Sequence, residues 1–261
     1  MKVHISPFDF ETGLIDEDRR IRNVIDAVIV RDATDETTLL ESATVTVDST
    51  NFTAGWYAVD ALEAGTRTRL GVFYFTLSKA EQATSGQMKY ELAGVSTLYN
   101  ASVSNVKGGY SVKAGNSGTA VINELLGVCV APLDVTPFQI AKTQTFNGNV
   151  TKLGACWSVL RAADMCMQIQ ENGTIKVMEK PKTAVKTIAI NSGELLGEVS
   201  VSDTEISYNA TLKGRPYDLV TVNLPTFGMT GTSLIASQDI DLSDGLVADE
   251  TLKEKPYDDD E

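Results

Sequence analysis

The sequence has few of the residues from which catalytic and metal-binding sites are usually built. It contains a single histidine, His4, and three cysteines, Cys129, Cys156 and Cys166. The cysteines are odd in number, lack C-x-x-C spacing and lie in apolar segments, so we expect buried thiols, no disulfide framework and no zinc site. The G-x-S-x-G, H-E-x-x-H and P-loop motifs are absent, and no serine or cysteine motif accompanies His4. We therefore predict no enzyme, no catalytic residue, no cofactor and no metal.

Basic charge is also scarce. The chain has 22 Lys and Arg residues against 35 Asp and Glu residues, and its formal net charge is −13. Such a surface repels phosphates and releases no counterions from DNA, which argues against a nucleic-acid-binding protein. It remains compatible with a channel wall that DNA passes without being held.

Long apolar runs are missing as well. No stretch of the chain has eighteen uncharged apolar residues in succession, and no apolar run follows Lys2 near the start. We therefore expect no membrane-spanning segment and a protein made in the cytoplasm.

The chain is rich in residues that favour strands. β-Branched and aromatic residues, often alternating with polar ones, predict strands at about 22–32, 39–49, 66–77 and 90–98. With the intervening WYAVDAL segment they predict a β-barrel or sandwich over residues 20–99.

Two stretches in the middle of the chain have helical spacing instead. The first helix is expected to begin after Ser117 or Thr119 as N-cap and to end at Gly127. The second is expected to begin after Thr151 and to bury Leu160 on its apolar face.

A predicted hairpin follows the second helix. Alternation at residues 165–169 and 175–177 indicates two strands, and Asn172 and Gly173 between them accept positive φ at little cost. Helices and hairpin together predict a small α+β subdomain over residues 100–182.

Alternation and composition distinguish the remaining segments. Alternation predicts that strands return at residues 183–225. Residues 226–261 are rich in Gly, Ser and Asp and end in KEKPYDDDE, so we expect an acidic, flexible segment that is mobile or ordered only on a partner. Residues 1–20 are polar and acidic, with Phe8 and Phe10 among them. We expect an arm that packs on a neighbour, or a frayed terminus.

One run resembles a calcium-binding loop. Its oxygen-bearing residues are spaced as in the D-x-D-x-D-G pattern, at Asp239, Asp241, Ser243 and, in the twelfth position, Glu250. The glycine comes one place late, because Asp244 stands where the sharp turn needs Gly and Gly245 follows. No helical pattern flanks the run, so a solvated acidic loop is favoured over an ion site.

Aromatic residues supply the other candidate site. Trp157 has apolar neighbours at helical spacing and is expected in a core. Tyr57, Tyr74 and Tyr90 lie on alternating strands, and an exposed set on one sheet face would suit sugar stacking. The alternative function is therefore a β-rich carbohydrate-binding module, whose glycan binding Trp56→Ala or Tyr74→Ala would abolish.

The order of the segments resembles that of a known family. Strands containing ATVTVDS and GVFYFTLSKAE are followed by MKYELAGVSTLYNA, a helix in SGTAVINELL and then WSVLRAADMCMQIQENGTIKVME. This order, over roughly residues 20–225, resembles the baseplate hub proteins of phage tails and their relatives in prophages and contractile injection machines. The YELAGVS and NGTIKV segments carry most of the likeness.

The resemblance implies a fold and a function. Hubs of this family are homotrimers whose subunits carry two tail-tube-like β-barrels, so that the ring joins the sixfold tail tube to the threefold spike and leaves a channel for DNA. The expected fold is mainly β, with tail-tube-like barrel parts at 20–99 and 183–225 flanking the helix-plus-hairpin insert at 100–182. The expected partners are further copies of the chain and the tail tube, distal tail and spike or tip proteins, in the baseplate of a virion. Because 183–225 is short for a barrel, one or two complete barrels remain possible.

Overall fold

The computed structural model describes residues 1–33, 40–48, 52–82, 86–190, 192–202, 206–243 and 245–252. Within these ranges the protein is mainly β. Its strands are β1 Lys2–Pro7, β2 Val24–Asp32, β3 Leu40–Val47, β4 Gly55–Glu63, β5 Thr66–Gln82, β6 Met88–Val95, β7 Tyr110–Val112, β8 Leu133–Val135, β9 Gln144–Phe146, β10 Met165–Ile169, β11 Ile175–Glu179, β12 Lys186–Ala189, β13 Leu195–Val201, β14 Ile206–Thr211, β15 Leu219–Leu224, β16 Met229–Asp241 and β17 Val247–Leu252. Its α-helices are α1 Tyr99–Val103, α2 Gly118–Leu126 and α3 Lys152–Ala162.

Alternation of side chains explains the first group of strands. Ala43, Val45 and Val47 of β3 are buried while Thr44 between them is exposed, as the ATVTV pattern predicts. On β5 the segment from Leu70 to Phe73 is buried on both faces, because the rest of the chain covers the outer face there.

The twelve-stranded sheet runs in the order β1-β4-β5-β6-β3-β2-β16-β17-β14-β13, and β15 connects β16 to β12. All of its pairs are antiparallel except β12 with β15. The long strand β16 takes part in both halves of the sheet. Its first half pairs with β15, and its second half pairs with β2.

Two separate hydrophobic cores follow from this arrangement. We call β1 to β6 with the end of β16 the first β unit, whose core contains Val45, Phe73 and Ile240. We call β12 to β15 and β17 with the rest of β16 the second β unit, whose core contains Val220 and Ile235. One strand therefore supplies Ile235 to one core and Ile240 to the other.

The expectation for residues 226–261 is wrong as far as Leu252. These residues form β16 and β17, two central strands of the sheet, because Ile235, Ile240 and Leu252 are buried in the two cores. Asp239 and Asp241, on either side of Ile240, are exposed. β16 also contains Ser, Thr and Asp residues, so the composition of the segment resembles that of a linker although the strand buries apolar residues. The final acidic run lies outside the described residues. The second β unit therefore contains β17 and part of β16 in addition to the strands of residues 183–225.

The expectation for the first residues is also wrong for Lys2–Pro7. This segment is β1, which pairs antiparallel with β4 of the same chain. Ile5 is fully buried in the first core, so the terminus packs on its own sheet and is neither a frayed end nor an arm on a neighbour.

The segment from α1 to β11 forms the α+β insert. Its helices pack with a three-stranded sheet, β10-β11-β8, and a two-stranded sheet, β7-β9, around Leu153, Trp157 and Leu160. The helix boundaries agree with the predicted caps. Ser117 Oγ accepts a hydrogen bond from the Ala120 N–H at 3.3 Å, and Thr151 Oγ1 accepts one from the Gly154 N–H at 3.0 Å.

The predicted hairpin of the insert is present, with Ile169 opposite Ile175. Of the Asn172–Gly173 pair only Gly173 has a positive φ, +81°, and its N–H donates to the Gln170 carbonyl at 2.8 Å. The loop is therefore a β-turn followed by a left-handed glycine, which is longer than a two-residue turn. Its tip contacts the segment that follows β6, where Thr97 Oγ1 donates to the Gly173 carbonyl at 3.1 Å.

Candidate functional site

Two of the three cysteines are buried, as the sequence suggests. All three are free thiols, with Cys156 and Cys166 buried and Cys129 half-buried. Burial raises the pKa of Cys129 to about 11 and raises the pKa of Cys156 further above its ordinary value. Both thiols are therefore protonated at neutral pH, which makes them poor nucleophiles.

The expectation of a solvated acidic loop is wrong for the ends of the calcium-like run, which lie on two strands. Asp239 and Asp241 lie on β16, and Glu250 lies on its antiparallel partner β17. Glu250 is fully buried, accepts a hydrogen bond from Gln238 at 2.7 Å and pairs with Lys186 at 2.6 Å. In the described part of the chain, no group of three or more His, Cys, Asp or Glu residues is placed to hold a metal ion.

The aromatic candidates separate into buried and outward-facing sets. Tyr57 is buried and donates to the Thr53 carbonyl at 2.7 Å, and Tyr90 packs against the first core. Trp157 is buried in the insert and stacks on Tyr217, with ring centroids 5.2 Å apart. These residues belong to cores, so sequence reasoning grouped Tyr57 and Tyr90 wrongly with Tyr74.

Trp56 and Tyr74 do lie together on the outer face. Their ring centroids are 5.4 Å apart in an edge-to-face arrangement, and Phe10 extends the row at 5.2 Å from Trp56. Trp56 and Tyr74 line a groove of about 430 Å³, together with residues of β6 and with Tyr99 and Val130. This groove is the most aromatic of the surface features described.

A buried network of charges joins the three parts of the fold. We call it the junction, and it consists of Arg31, Glu41, Lys186, Arg215, Gln238 and Glu250, all of which are buried. The Arg215 guanidinium donates to the Ile169 carbonyl of the insert at 3.0 Å and to the Leu70 carbonyl of the first β unit at 2.7 Å. Since Arg215 lies between β14 and β15, one side chain contacts all three parts.

The other arginine of the junction completes the network. Arg31 donates to Gln238 Oε1 at 2.7 Å and to the Leu70 carbonyl at 2.6 Å. Glu41 lies 3.2 Å from Arg215 and 3.7 Å from Arg31, so a single carboxylate faces both guanidinium groups. Burial, together with the charge of Arg215, lowers the pKa of Arg31 to about 9.

Sequence reasoning did not single out the junction, although part of the signal was present. Alternate residues of a strand lie on the same face, so Arg31 lies on the face of the buried Ala27 and Ile29 of β2. By the same rule Glu41 lies on the face of Ala43 and Val45 of β3. Charged residues at core positions of two neighbouring strands indicate a buried ion pair. Arg215 gives no such signal, because it comes from a loop far along the chain.

The twelve-stranded sheet has several edge strands in the described residues, β1, β12 and β13, and β13 is the edge of the second β unit that ends the main strand order. β13 pairs with β14 on one side, and within the described residues no strand lies on its other side. Leu196 of β13 is 51% exposed. No helix in the described part of the chain is long and apolar enough to cross a membrane.

Comparison with known proteins defines the fold. No protein-family model and no curated protein matches the sequence. The tail protein from Neisseria meningitidis MC58 is similar in structure with a TM-score of 0.69 and 10% identity, over 97% of this chain and 96% of that chain. The 43 kDa tail protein of prophage MuSo2 from Shewanella oneidensis gives 0.63 and 10%, over 96% and 97%.

A third similar structure comes from a secretion machine. The E. coli protein c3393, described as a component of the type VI secretion system with structural similarity to the T4 bacteriophage tail proteins gp27 and gp5, gives a TM-score of 0.57 and 10% identity. The match covers 99% of this chain and 78% of that chain. The chain therefore has the fold of phage and prophage tail proteins, mainly β with an α+β insert.

Proposed function

We propose that the protein is a structural subunit of a tail baseplate, a hub that forms a trimeric ring between the tail tube and the spike or tip. The observation that carries this proposal is the whole-chain match to tail proteins, over 97% of this chain and 96% of the first of them. The likeness to a secretion-system protein that itself resembles gp27 and gp5 supports a place at the end of the tube.

The two β units support the ring. Each has its own core, and the two share strand β16. Three subunits would thus bring six β units around one axis, which suits an adaptor between a sixfold tube and a threefold spike.

The edge of β13 supports contacts between subunits. Its unpaired backbone N–H and C=O groups can pair with a strand of the next subunit, and the exposed Leu196 adds apolar surface. Such a contact is head-to-tail, and a head-to-tail contact closes a ring when its rotation divides the circle evenly.

Net charge supports the passage of DNA. A chain of charge −13 gives a lumen that does not bind phosphates. We assign the protein to the virion baseplate, assembled from chains made in the host cytoplasm, with the tube, distal tail and spike or tip proteins as partners and no enzymatic role.

Light scattering on the purified full chain at micromolar concentration tests the proposal, followed by electron microscopy with tube and spike proteins. We expect a mass three times that of the chain and rings with a central channel. Leu196→Lys should leave the fold intact and weaken the trimer. The matched control Val103→Lys, at a residue 59% exposed on α1, should leave the trimer unchanged. A chain that stays monomeric and forms no ring with either partner would refute the hub.

A second candidate rests on the outer aromatic groove. Trp56 and Tyr74, 5.4 Å apart, give the apolar ring surface that sugars stack on. If the protein is instead a carbohydrate-binding module, a glycan array will show saturable binding that Tyr74→Ala abolishes. Phe227→Ala, which removes an exposed ring elsewhere, is the control. The hub proposal predicts no saturable binding.

A further inference from the structure

The sequence contains two Asn-Gly pairs, Asn147-Gly148 and Asn172-Gly173, and the structure gives them different surroundings. In an Asn-Gly pair the backbone nitrogen of the glycine can attack the asparagine side chain with little hindrance, because glycine has no Cβ. The attack converts the asparagine to aspartate or isoaspartate. In a folded protein it requires a glycine N–H that is not held in a hydrogen bond and a backbone that can move.

The first pair lies in the loop between β9 and α3, where Asn147 and Gly148 are both exposed. Both neighbouring N–H groups have acceptors. The Asn149 N–H donates to Asn147 Oδ1 at 3.0 Å, and the Val150 N–H donates to the Asn147 carbonyl at 3.2 Å. The Gly148 N–H makes no hydrogen bond to any described residue. The nitrogen that must react is therefore open to solvent.

The second pair lies in the hairpin loop between β10 and β11. Asn172 is exposed, and its Oδ1 accepts from the Thr174 N–H at 3.0 Å, so its side chain has the same kind of contact as in the first pair. The glycine is different. Gly173 is buried, its N–H donates to the Gln170 carbonyl at 2.8 Å, and a Cβ there would lie 3.0 Å from the Phe10 ring. The nitrogen of this pair is therefore engaged and enclosed.

We propose that Asn147 is a site of spontaneous deamidation in the folded protein and that Asn172 is protected from it. In the first step the Gly148 nitrogen forms a bond to Cγ of Asn147, and the side-chain amide leaves as ammonia with the proton of that nitrogen. In the second step water opens the resulting five-membered imide at one of its two carbonyls. The products are aspartate and isoaspartate, and the sequence of steps consumes only water.

The same reaction at Asn172 requires the hairpin loop to open. The Gly173 nitrogen must release the Gln170 carbonyl and move away from Phe10 before it can reach the side chain. A packed segment is open for only a small fraction of the time, and the reaction slows in proportion to that fraction. The dipeptide is the same in both places, so the difference in rate comes from the fold.

Conversion of Asn147 changes the loop that leads into α3. Aspartate adds one negative charge, and isoaspartate also adds one carbon to the backbone. The change lies between Phe146, whose carbonyl accepts from the Gly109 N–H at 3.1 Å, and Thr151, the N-cap of α3. The modification thus acts at the start of the helix that carries much of the core of the insert.

Incubation of the purified full chain at mildly alkaline pH, followed by tryptic peptide mapping with mass spectrometry, tests the proposal. The peptides 143–152 and 162–176 carry the two pairs separately. We expect the first peptide to gain about 1 Da at Asn147 while the second remains unchanged. In denaturant, where neither glycine is held, both peptides should be converted at similar rates.

Gly148→Ala tests the chemistry without removing the asparagine. A Cβ at this position has its nearest atom, the Gly108 backbone nitrogen, at 3.5 Å, and φ is not positive, so the variant should fold as the wild type does. The methyl group hinders the attack, so Asn147 should remain intact when most of the wild-type chain is converted. Gly193→Ala adds the same group in open space before β13 and should leave the rate unchanged.

Three results would overturn the proposal. One is conversion of Asn172 as fast as that of Asn147 in the folded chain. Another is an Asn147 that stays intact in the folded chain while both sites are converted in denaturant. The third is conversion of Asn147 in Gly148→Ala at the rate of the wild type.

Discussion

Arg31 and Arg215 donate hydrogen bonds to the same atom, the carbonyl oxygen of Leu70, at 2.6 and 2.7 Å. Two like charges therefore meet at one backbone acceptor in the interior of the protein. Glu41 is the carboxylate that faces both. The position of the insert against the β units thus depends on a balance of buried charges as well as on apolar packing.

Removal of the shared carboxylate tests this balance. Glu41→Gln keeps the shape of the side chain but leaves the two guanidinium groups without their counter-charge. Breaking a buried ion pair costs about 3 kcal/mol or more, and we expect that loss in the free energy of unfolding, measured by urea denaturation. Glu63→Gln, on the exposed end of β4, should change stability by less than about 0.5 kcal/mol. Equal effects of the two substitutions would show that the junction does not hold the parts together.

The contact of the hairpin tip with the first β unit is tested at Gly173. This residue has φ +81°, and a Cβ there would lie 3.0 Å from the Phe10 ring and 3.2 Å from Val72. Gly109 has a similar φ, +78°, with no atom within 4 Å of the added Cβ. Gly109→Ala should therefore cost about 1–2 kcal/mol from backbone strain alone, and Gly173→Ala at least about 1 kcal/mol more.

Thermal unfolding of the two alanine variants makes the comparison. The difference between their losses of stability reports the steric contact of the added methyl group, because both substitutions have the same cost of backbone strain. If Gly173→Ala is no less stable than Gly109→Ala, the hairpin tip does not pack on β5 as described.

The core of the insert is tested at Leu160, which is fully buried on α3. Leu160→Asp places a carboxylate among Leu, Trp and Met side chains and should cost about 4 kcal/mol or more. Asn123→Asp adds the same group at an exposed position of α2 and should be nearly neutral. Circular dichroism and the yield of soluble protein report the outcome. A stable Leu160→Asp protein that still assembles would mean that α3 is not central to the insert.

How far the sequence predicts this fold depends on the element. Local signals were sufficient for β3, whose ATVTV residues alternate, and for α2 and α3, whose caps Ser117 and Thr151 lie at the predicted positions. They failed for β16, because Ser, Thr and Asp residues on its outer face resemble a linker. Only pairing with β2, β15 and β17 makes this segment a strand.

The junction shows a second limit of sequence reasoning. Alternation along β2 and β3 predicts that Arg31 and Glu41 point into the core, so this part of the network can be predicted from the sequence. Arg215 and the Leu70 carbonyl meet only in the folded chain, and no periodicity encodes a contact between a loop and a distant backbone oxygen. Tertiary contacts of this kind lie beyond local patterns.

The thiol of Cys129 provides a prediction on pH dependence. Its pKa is raised to about 11 by burial, so the reactive thiolate is scarce at pH 8 and increases as the pH approaches 11. Reaction of the folded protein with a disulfide reagent should be slow at pH 8 and faster at pH 10, and Cys129→Ser should abolish the faster reaction. All three thiols should react once the chain is unfolded. Rapid reaction at pH 8 would contradict the burial of this residue.

The central claim is that the chain forms a hub ring at the end of a tail tube. Electron cryo-microscopy of an assembled tail tip that contains this protein tests this claim most directly. The account predicts three copies in one ring between tube and spike, with six β units around an open channel and the β13 edge at each contact between subunits. Density for the chain in the repeating shaft of the tube, or a copy number other than three at the tip, would contradict it.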